Sequence, residues 1–311
     1  MNLAVLGDLN LDVLVALPAD PRRASWDDVS GLPSGGGERR ARIQVAPGGA
    51  ATTFARVAAA EGVHVTLIAC VGTDPAGRIL REELKREGIR LLSGGSSRTT
   101  GVVISTDDGG DVPGTHTMIC DRGANDDMEP DVVGELAIET LTHLHISGYA
   151  FLSPAQREVA RVVLEATTRC PRKITVSVDP PPAGLIKAYG RERFSTELDS
   201  VNLLFPNEEE ARLLTACADT ETAVDVLAAR FDAGAVTLGD RGAIAWERGK
   251  RSHIPVDALS GVNATGAGDA FAAGFVTSFL VEGSVAAARH GNDCARRWLA
   301  RRDSMHRVED S

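Results

Sequence analysis

From residue 141 onward the chain alternates short apolar runs with amphipathic or Ala-rich segments, and that alternation leaves few folds open. The run LHISG at 144–148 reads as a strand and leads into a helix over 154–168. ITVSVD at 174–179 leads into a helical stretch at 184–189, and VNLLFP at 201–206 into a helix over 208–216. A helix over 223–230 precedes the strand AVTLG at 235–239. A hairpin over 242–256 and two Ala-rich helices, 266–281 and 284–301, follow. Strands that alternate with helices imply a parallel sheet covered on both faces. Ligands on such sheets sit beyond the carboxyl ends of the strands.

The first half is less regular. LAVLG at 3–7 reads as a buried strand that delivers Asp8, Asn10 and Asp12 into a loop. Gly48 and Gly49 precede an Ala-rich helix over 50–61. VTLIACVG at 65–72 reads as a strand, and 76–87 as an amphipathic helix stopped by Gly88. Residues 18–47, rich in Pro, Gly, Arg and Ser, read as a mobile loop or lid with a strand-like RIQVA at 42–46. GVVIST and THTMIC flank DDGGD within 101–119, which is a hairpin signal. With 12–18 and 42–46, these segments could form a small accessory sheet.

Composition narrows the function classes. Aromatic residues make up only 4%, so the core must be mostly aliphatic. The net charge of −10 argues against nonspecific binding to nucleic acid or anionic membranes. The basic tract Arg296, Arg297, Arg301, Arg302 reads as a solvated helix face. Cys70, Cys120, Cys170, Cys217 and Cys294 are scattered without a CxxC, as expected for free thiols in a reducing cytoplasm. The amino terminus reads as a first strand and not a signal peptide, and no apolar run is long enough to span a bilayer. His143 and His145 share a strand face but have no third ligand nearby in sequence, so packing or exposure explains them. Gly35, Gly36 and Gly37 lack the Lys-Ser/Thr of a phosphate-binding loop. GxGxxG after the first strand and a Ser nucleophile elbow are both absent.

The segment Val262-Asn263-Ala264-Thr265-Gly266-Ala267-Gly268-Asp269-Ala270-Phe271 carries the clearest chemistry. Small residues let backbone amides approach an anion, and the helix that follows points its positive end at the same place. Asp269, in the first turn, can accept the proton of a hydroxyl that attacks a phosphoryl group.

This ten-residue string resembles the C-terminal signature of the ribokinase-like (PfkB) carbohydrate kinase family, and further motifs in the same order extend the resemblance over nearly the whole chain. It implies a ribokinase-like three-layer α/β/α fold with a mainly parallel central sheet and a small β-sheet lid. One kinase domain would span 1–311, with lid segments at about 12–46 and 101–119. By this resemblance Asp269 is the catalytic base, and Gly266, Ala267 and Gly268 form the anion hole.

Gly7-Asp8-Leu9-Asn10-Leu11-Asp12 is similar to the family's sugar-binding strand end, with Asn10 and Asp12 on substrate hydroxyls. Pro47-Gly48-Gly49-Ala50-Ala51 resembles the diglycine segment against the sugar. Val71-Gly72-Thr73-Asp74-Pro75-Ala76-Gly77 resembles an element that is more often structural. Arg122-Gly123-Ala124-Asn125 looks like a segment near the substrate, where Arg122 could pair with a substrate carboxylate or phosphate. Asn207 and Glu210 match the NxxE motif that organises the magnesium–phosphate network, with Glu210 holding the metal through water. The residues also read as an N-capped helix with acids in its first turn. Thr237, Gly239 and Gly242 look like the nucleotide-contacting strand and turn, and Asn292 matches a position beside the adenine.

Two positions depart from the family pattern. Thr53 stands where a sugar-contacting Asn is usual, and without the amide a different hydroxyl pattern is expected. Asn263 replaces an Asp that helps some members hold a monovalent cation, which leaves the use of such a cation open. The implied activity is ATP- and Mg2+-dependent phosphorylation of a hydroxyl on a small sugar or sugar acid, in the cytoplasm. An adenosine-like nucleoside kinase and a catalytically weak sugar sensor are the alternatives. Neither nucleic acid nor membrane is expected as a partner, and an exposed lid edge offers a possible homodimer contact.

Overall fold

The structure is a computed structural model that describes residues 1–16, 41–107, 116–257, 259 and 262–306. Its frame is a nine-stranded sheet in the order β13-β12-β11-β10-β9-β8-β1-β4-β5. The strands are β1 (Asn2–Leu6), β4 (His64–Ile68), β5 (Arg90–Leu92), β8 (His143–Ser147), β9 (Thr175–Asp179), β10 (Leu203–Leu204), β11 (Ala233–Thr237), β12 (Ala243–Glu247) and β13 (Lys250–Ile254). Pairing is parallel from β5 through β11, and the β12–β13 hairpin adds an antiparallel edge. Every residue of β8 is buried, as are four of the five in β1. β1 is a nearly continuous apolar run, as strands covered on both faces usually are, whereas β8 carries His143, His145 and Ser147 into the core.

The covering helices are α1 (Ala50–Ala60), α2 (Pro75–Arg86), α3 (Pro154–Arg169), α4 (Ala183–Tyr189), α5 (Arg191–Glu197), α6 (Glu208–Thr215), α7 (Thr220–Arg230), α8 (Ala267–Glu282) and α9 (Ser284–His306). α1, α8 and α9 pack in one contiguous layer, while α4 to α7 contact one another in another. This is the three-layer α/β/α arrangement expected of the chain.

A second, four-stranded sheet has the order β3-β2-β6-β7, built from β2 (Asn10–Ala16), β3 (Arg42–Gly48), β6 (Gly101–Asp107) and β7 (His116–Asp121). β2 pairs antiparallel with β3 and parallel with β6, and β6 pairs antiparallel with β7. The accessory sheet therefore forms from the segments expected of it. Residues 17–40 and 108–115 of the expected lid lie outside the described residues.

Several boundaries move. The strand expected at 65–72 is His64–Ile68, and that at 201–206 shrinks to Leu203–Leu204. The helix expected from 223 begins at Thr220, where Asp219 caps it by accepting from the Thr222 amide at 2.8 Å. The last helix runs five residues past 301 to His306. β5 and α5 were not anticipated. β5 is three residues long, and α5 is separated from α4 by Gly190 at φ 104. His143 and His145 are buried, and both bond Ser177 Oγ, at 2.7 and 2.8 Å. His145 also stacks on Phe54 at 3.7 Å between ring centres. Burial pushes His143 down to about 3, so the pair is neutral and serves packing.

Asp74 ties the two sheets together. Its Oδ1 caps α2 by accepting from the Gly77 amide at 3.0 Å, and it also accepts from Thr100 Oγ1 at 2.5 Å. Its Oδ2 accepts from the Thr100 amide at 3.1 Å, one residue before β6. Burial opposes its ionisation, but these bonds outweigh it and hold the carboxyl below the usual range. Gly77 is required here because a Cβ would lie 2.1 Å from the Gly72 carbonyl oxygen. Replacing Asp74 by Ala removes a cap and strands the Thr100 hydroxyl and amide, a loss of about 1–3 kcal/mol. Urea denaturation of Asp74→Ala should show a lower midpoint at an unchanged m-value.

Candidate active site

Strand order dictates where a site can form. Asp8 follows β1, Tyr149 follows β8, Asp179 ends β9, Asn207 follows β10 and Thr237 ends β11. All five line one cleft of about 980 Å³ at the carboxyl edge of the large sheet. The lid sheet faces it through one register row. Asp12 pairs with Val103, which pairs with Cys120, and all three line the cleft. The neighbouring row, Val45, Val13, Ile104 and Ile119, points the other way. Val45 and Ile119 are 54% and 60% exposed there.

The lid end of the cleft is a preset hydrogen-bonding surface. Asn125 is fully buried and donates from Nδ2 to Asn10 Oδ1 at 2.8 Å. Its own Oδ1 accepts from the Leu9 amide at 2.9 Å. Asn10 thus has its oxygen engaged and its amide NH2 left to address a ligand. Asp12 stands beside it, and burial pushes its carboxyl up to about 6 against the opposing charges of Arg302 and Arg56.

Gly48 does not line the cleft. It makes room for Asp12, since a Cβ on it would lie 1.9 Å from that carboxylate. Gly49 lines the cleft with φ 101, and a Cβ there would sit 2.4 Å from the Asp8 carbonyl oxygen. Thr53 is buried in the first turns of α1 and faces the anion loop.

Arg122 lines the cleft but is already engaged. Its Nη1 and Nη2 donate to Asp8 at 2.8 and 3.0 Å, and its Nε to Asp126 at 2.9 Å. A substrate anion would have to share this guanidinium with two carboxylates.

At the opposite end, Gly266 caps α8 in the left-handed region at φ 81. Its missing side chain matters twice, because a Cβ would be strained and would meet Trp298 Nε1 at 2.6 Å. The first backbone bond of the regular helix is Ala270 to Gly266 at 3.0 Å, so the Gly268 and Asp269 amides precede the ladder. Gly268 lines the cleft with nothing within 4 Å of its Cβ position, while Ala267 does not line it.

Asp269 faces the cleft and hydrogen-bonds Asp179. Two carboxyl groups in contact share one proton. Desolvation and then the charges of Asp269 and Glu210 drive Asp179 well above the usual range. Asp269 is raised by desolvation too, but its bond from Asp179 and the charge of Arg302 pull it back. The proton therefore resides on Asp179, and Asp269 is the ionised partner.

Asn207 and Glu210 form a capping box at the head of α6. The Asn207 amide donates to Glu210 Oε2 at 2.9 Å, and the Glu210 amide to Asn207 Oδ1 at 3.0 Å. Both also line the cleft. Burial, with the charges of Glu209 and Asp269, pushes Glu210 up to about 7. Glu210, Asp179 and Asp269 are hard oxygen donors, and the charge of Asp269 raises the proton affinity of the other two. Such a set fits Mg2+ held partly through water, whose charge would relieve the repulsion. Glu61, His290 and Cys294 also come within 4.8 Å of one another. Arg297 donates to Cys294 Sγ at 3.0 Å and pairs with Glu61 at 2.8 Å, so a cation is already there.

Thr237 reaches the cleft, but Gly239, Gly242 and Asn292 do not line it. Gly242 and Asn292 converge instead on the end of β13. A Cβ on Gly242 would lie 2.1 Å from the Ile254 carbonyl oxygen. Asn292 Nδ2 donates to that same oxygen at 3.5 Å and to Pro255 O at 3.4 Å.

Asp179, Tyr149 and Arg302 are among the cleft residues that escaped the sequence reading. Asp179 carried a usable signal, as an acid at the carboxyl end of an expected parallel strand. Tyr149 follows the Gly that ends another strand. Arg302 had no such signal, because the basic tract reads as a solvated face until the path of α9 is known.

Comparison with known proteins agrees with this architecture. An ATP-dependent ribose-1-phosphate kinase of Halopiger xanaduensis is 29% identical over 283 residues, covering 87% of each chain. A fructokinase of Klebsiella pneumoniae is 30% identical over 265 residues, covering 81% of each. The crystal structure of adenosine kinase from Sinorhizobium meliloti superposes with a TM-score of 0.77 at 20% identity, covering 96% of this chain and 94% of that one. The family profile of the pfkB family carbohydrate kinases matches residues 24–307, and the chain belongs to that family.

Proposed function

We propose that this protein transfers the γ-phosphoryl group of ATP to a hydroxyl of a small sugar or sugar acid, with Asp269 as the general base. The observation that carries this reading is the meeting of two different surfaces in one cleft. Asn10 and Asp12 offer a donor and an acceptor suited to neighbouring hydroxyls, while Asp269 sits among the open amides at the head of α8. The acceptor hydroxyl gives its proton to Asp269 as its oxygen bonds phosphorus. The bond from phosphorus to the bridging oxygen breaks, and its electron pair leaves with ADP. The Gly268 and Asp269 amides face the charge on the migrating group, while the Ala267 amide, bonded to the Ala264 carbonyl at 3.1 Å, holds the loop in shape. Asp179, holding the shared proton, donates to Asp269 and orients its free oxygen. Asn207 and Glu210 are held rigid by their capping box, and Glu210 would hold Mg2+ through water. Magnesium, when bound, offsets charge on the phosphates. Thr237 belongs to the nucleotide side, with Gly239, Gly242 and Asn292 shaping the wall behind it.

A sugar is favoured over a nucleoside by the aromatic lining. Among the described residues, Tyr149 and Phe205 are the rings in the cleft, and Phe205 is buried against Phe271 and Phe275. The relative that acts on ribose 1-phosphate brings sugar phosphates into the range to be tested. ADP release should therefore be measured across sugars, sugar acids, sugar phosphates and nucleosides. Turnover confined to nucleosides, or none with any acceptor, would defeat the reading.

Asp269→Asn should lower kcat by about 10²–10⁴-fold or more. ATP affinity by calorimetry should stay close to that of the wild type. Retained turnover would refute the base assignment.

Asp179→Ala removes the donor whose bond pulls Asp269 back toward the usual carboxylate range, so burial acts with less opposition. The acid limb of the kcat/KM profile should then move to higher pH. An unmoved limb would show that the two carboxyl groups do not titrate together.

Monovalent cations should have little effect. Asn263 Oδ1 already accepts from the Thr265 amide at 2.9 Å and from its hydroxyl at 2.7 Å. As a neutral amide with its oxygen engaged, it is a poor cation ligand. Exchanging Na+ for K+ in the ADP-release assay should leave kcat unchanged.

A further inference from the structure

We infer that Arg302, carried into the cleft by the last turns of α9, is a further catalytic residue whose guanidinium contacts the phosphoryl group in flight. This rests on the kinase reading above and adds a group that the motifs do not contain. Three observations support it. Arg302 lines the same cleft as Asp12, Gly266, Gly268 and Asp269. Its charge acts on Asp12 at the acceptor end and on Asp269 at the transfer end, so it stands between the two surfaces that must meet. It is also held there from behind. Trp298, one helical turn earlier on the same face of α9, donates from Nε1 to the Thr265 carbonyl at 3.2 Å, directly before the anion loop. The same indole occupies the space that a side chain on Gly266 would need.

Charge balance gives this position its meaning. The cleft is lined by Asp8, Asp12, Asp121, Asp126, Asp179, Glu210 and Asp269, against Arg98, Arg122 and Arg302. A migrating phosphoryl group spreads negative charge over three equatorial oxygens. A planar guanidinium can meet two of them at once, which an ammonium cannot. As the acceptor proton passes to Asp269 and the old phosphorus–oxygen bond breaks toward ADP, Arg302 donates to those oxygens.

The test uses the full chain with whichever acceptor the wild type turns over fastest. Arg302→Gln should lose at least about 10²-fold in kcat, in line with the effect of a cationic group on phosphoryl transfer. KM for acceptor and ATP should change little. Arg302→Lys should recover part of that loss. Guanidinium ion added to Arg302→Ala should restore turnover along a saturating curve, a response that a purely structural role does not produce. Circular dichroism checks folding. If Arg302→Gln or Arg302→Ala does not fold, Arg302→Lys decides: turnover equal to the wild type's overturns the inference. So does a folded Arg302→Gln with full kcat, or a folded Arg302→Ala that guanidinium leaves inactive. An effect confined to KM for anionic acceptors would move Arg302 to the substrate's own anion and overturn the role in transfer. An inactive wild type would sink the kinase reading and this inference with it. An active wild type beside an unimpaired Arg302→Gln would sink this inference alone.

Discussion

Crowded carboxyl groups at the head of α8 are the constraint around which this molecule is arranged. Desolvating an ion costs several kcal/mol, whereas the positive end of a helix returns about 0.3–2 kcal/mol. The helix alone cannot hold Asp179, Glu210 and Asp269 together as three anions. The structure answers in three ways. Asp179 keeps a proton and donates it to Asp269. Glu210 binds the amides of its own capping box. Arg302 adds a positive charge from α9. A cleft so loaded with acid is suited to a divalent cation.

Most of the frame was legible because it rests on local rules. Buried parallel strands are rich in aliphatic residues, so β1 was readable as a run of Leu, Ala and Val, and β8 and β9 through the Leu, Ile and Val that alternate with His, Ser and Thr. The hairpin segments of the lid announced themselves through β-branched residues around turn formers. Elements that failed to show were those fixed by distant contacts. β5 is an edge strand three residues long, and its existence depends on pairing with β4. The end of α9 depends on Trp298 reaching the anion loop, which no local pattern reveals.

The site was legible in a different proportion. Residues in contiguous motifs came through, because small residues before a helix have one clear physical use. Residues that act through a fold-level neighbour did not. Asp179 and Asp269 lie far apart in sequence and meet only because β9 ends where α8 begins. Some expected residues also carry a second explanation. Gly242 and Asn292 both close on the Ile254 carbonyl, so each has a packing reason to be what it is. Asn207 and Glu210 cap their helix whatever else they do. Where one residue answers to both stability and chemistry, its identity alone cannot separate them.

The lid sheet has two unlike faces, with Asp12 and Cys120 in one row and Val13, Ile104 and Ile119 in the next. Side chains in a strand alternate strictly, so the spacing between the first turn of β2 and its partners decides which set meets the ligand. Losing one residue between Asn10 and Asp12 would exchange the rows, with valine over the cleft and the carboxylate in water. Recognition in this enzyme family member is thus a matter of parity along a short ribbon: its chemistry is kept in phase by the pairing that builds the sheet.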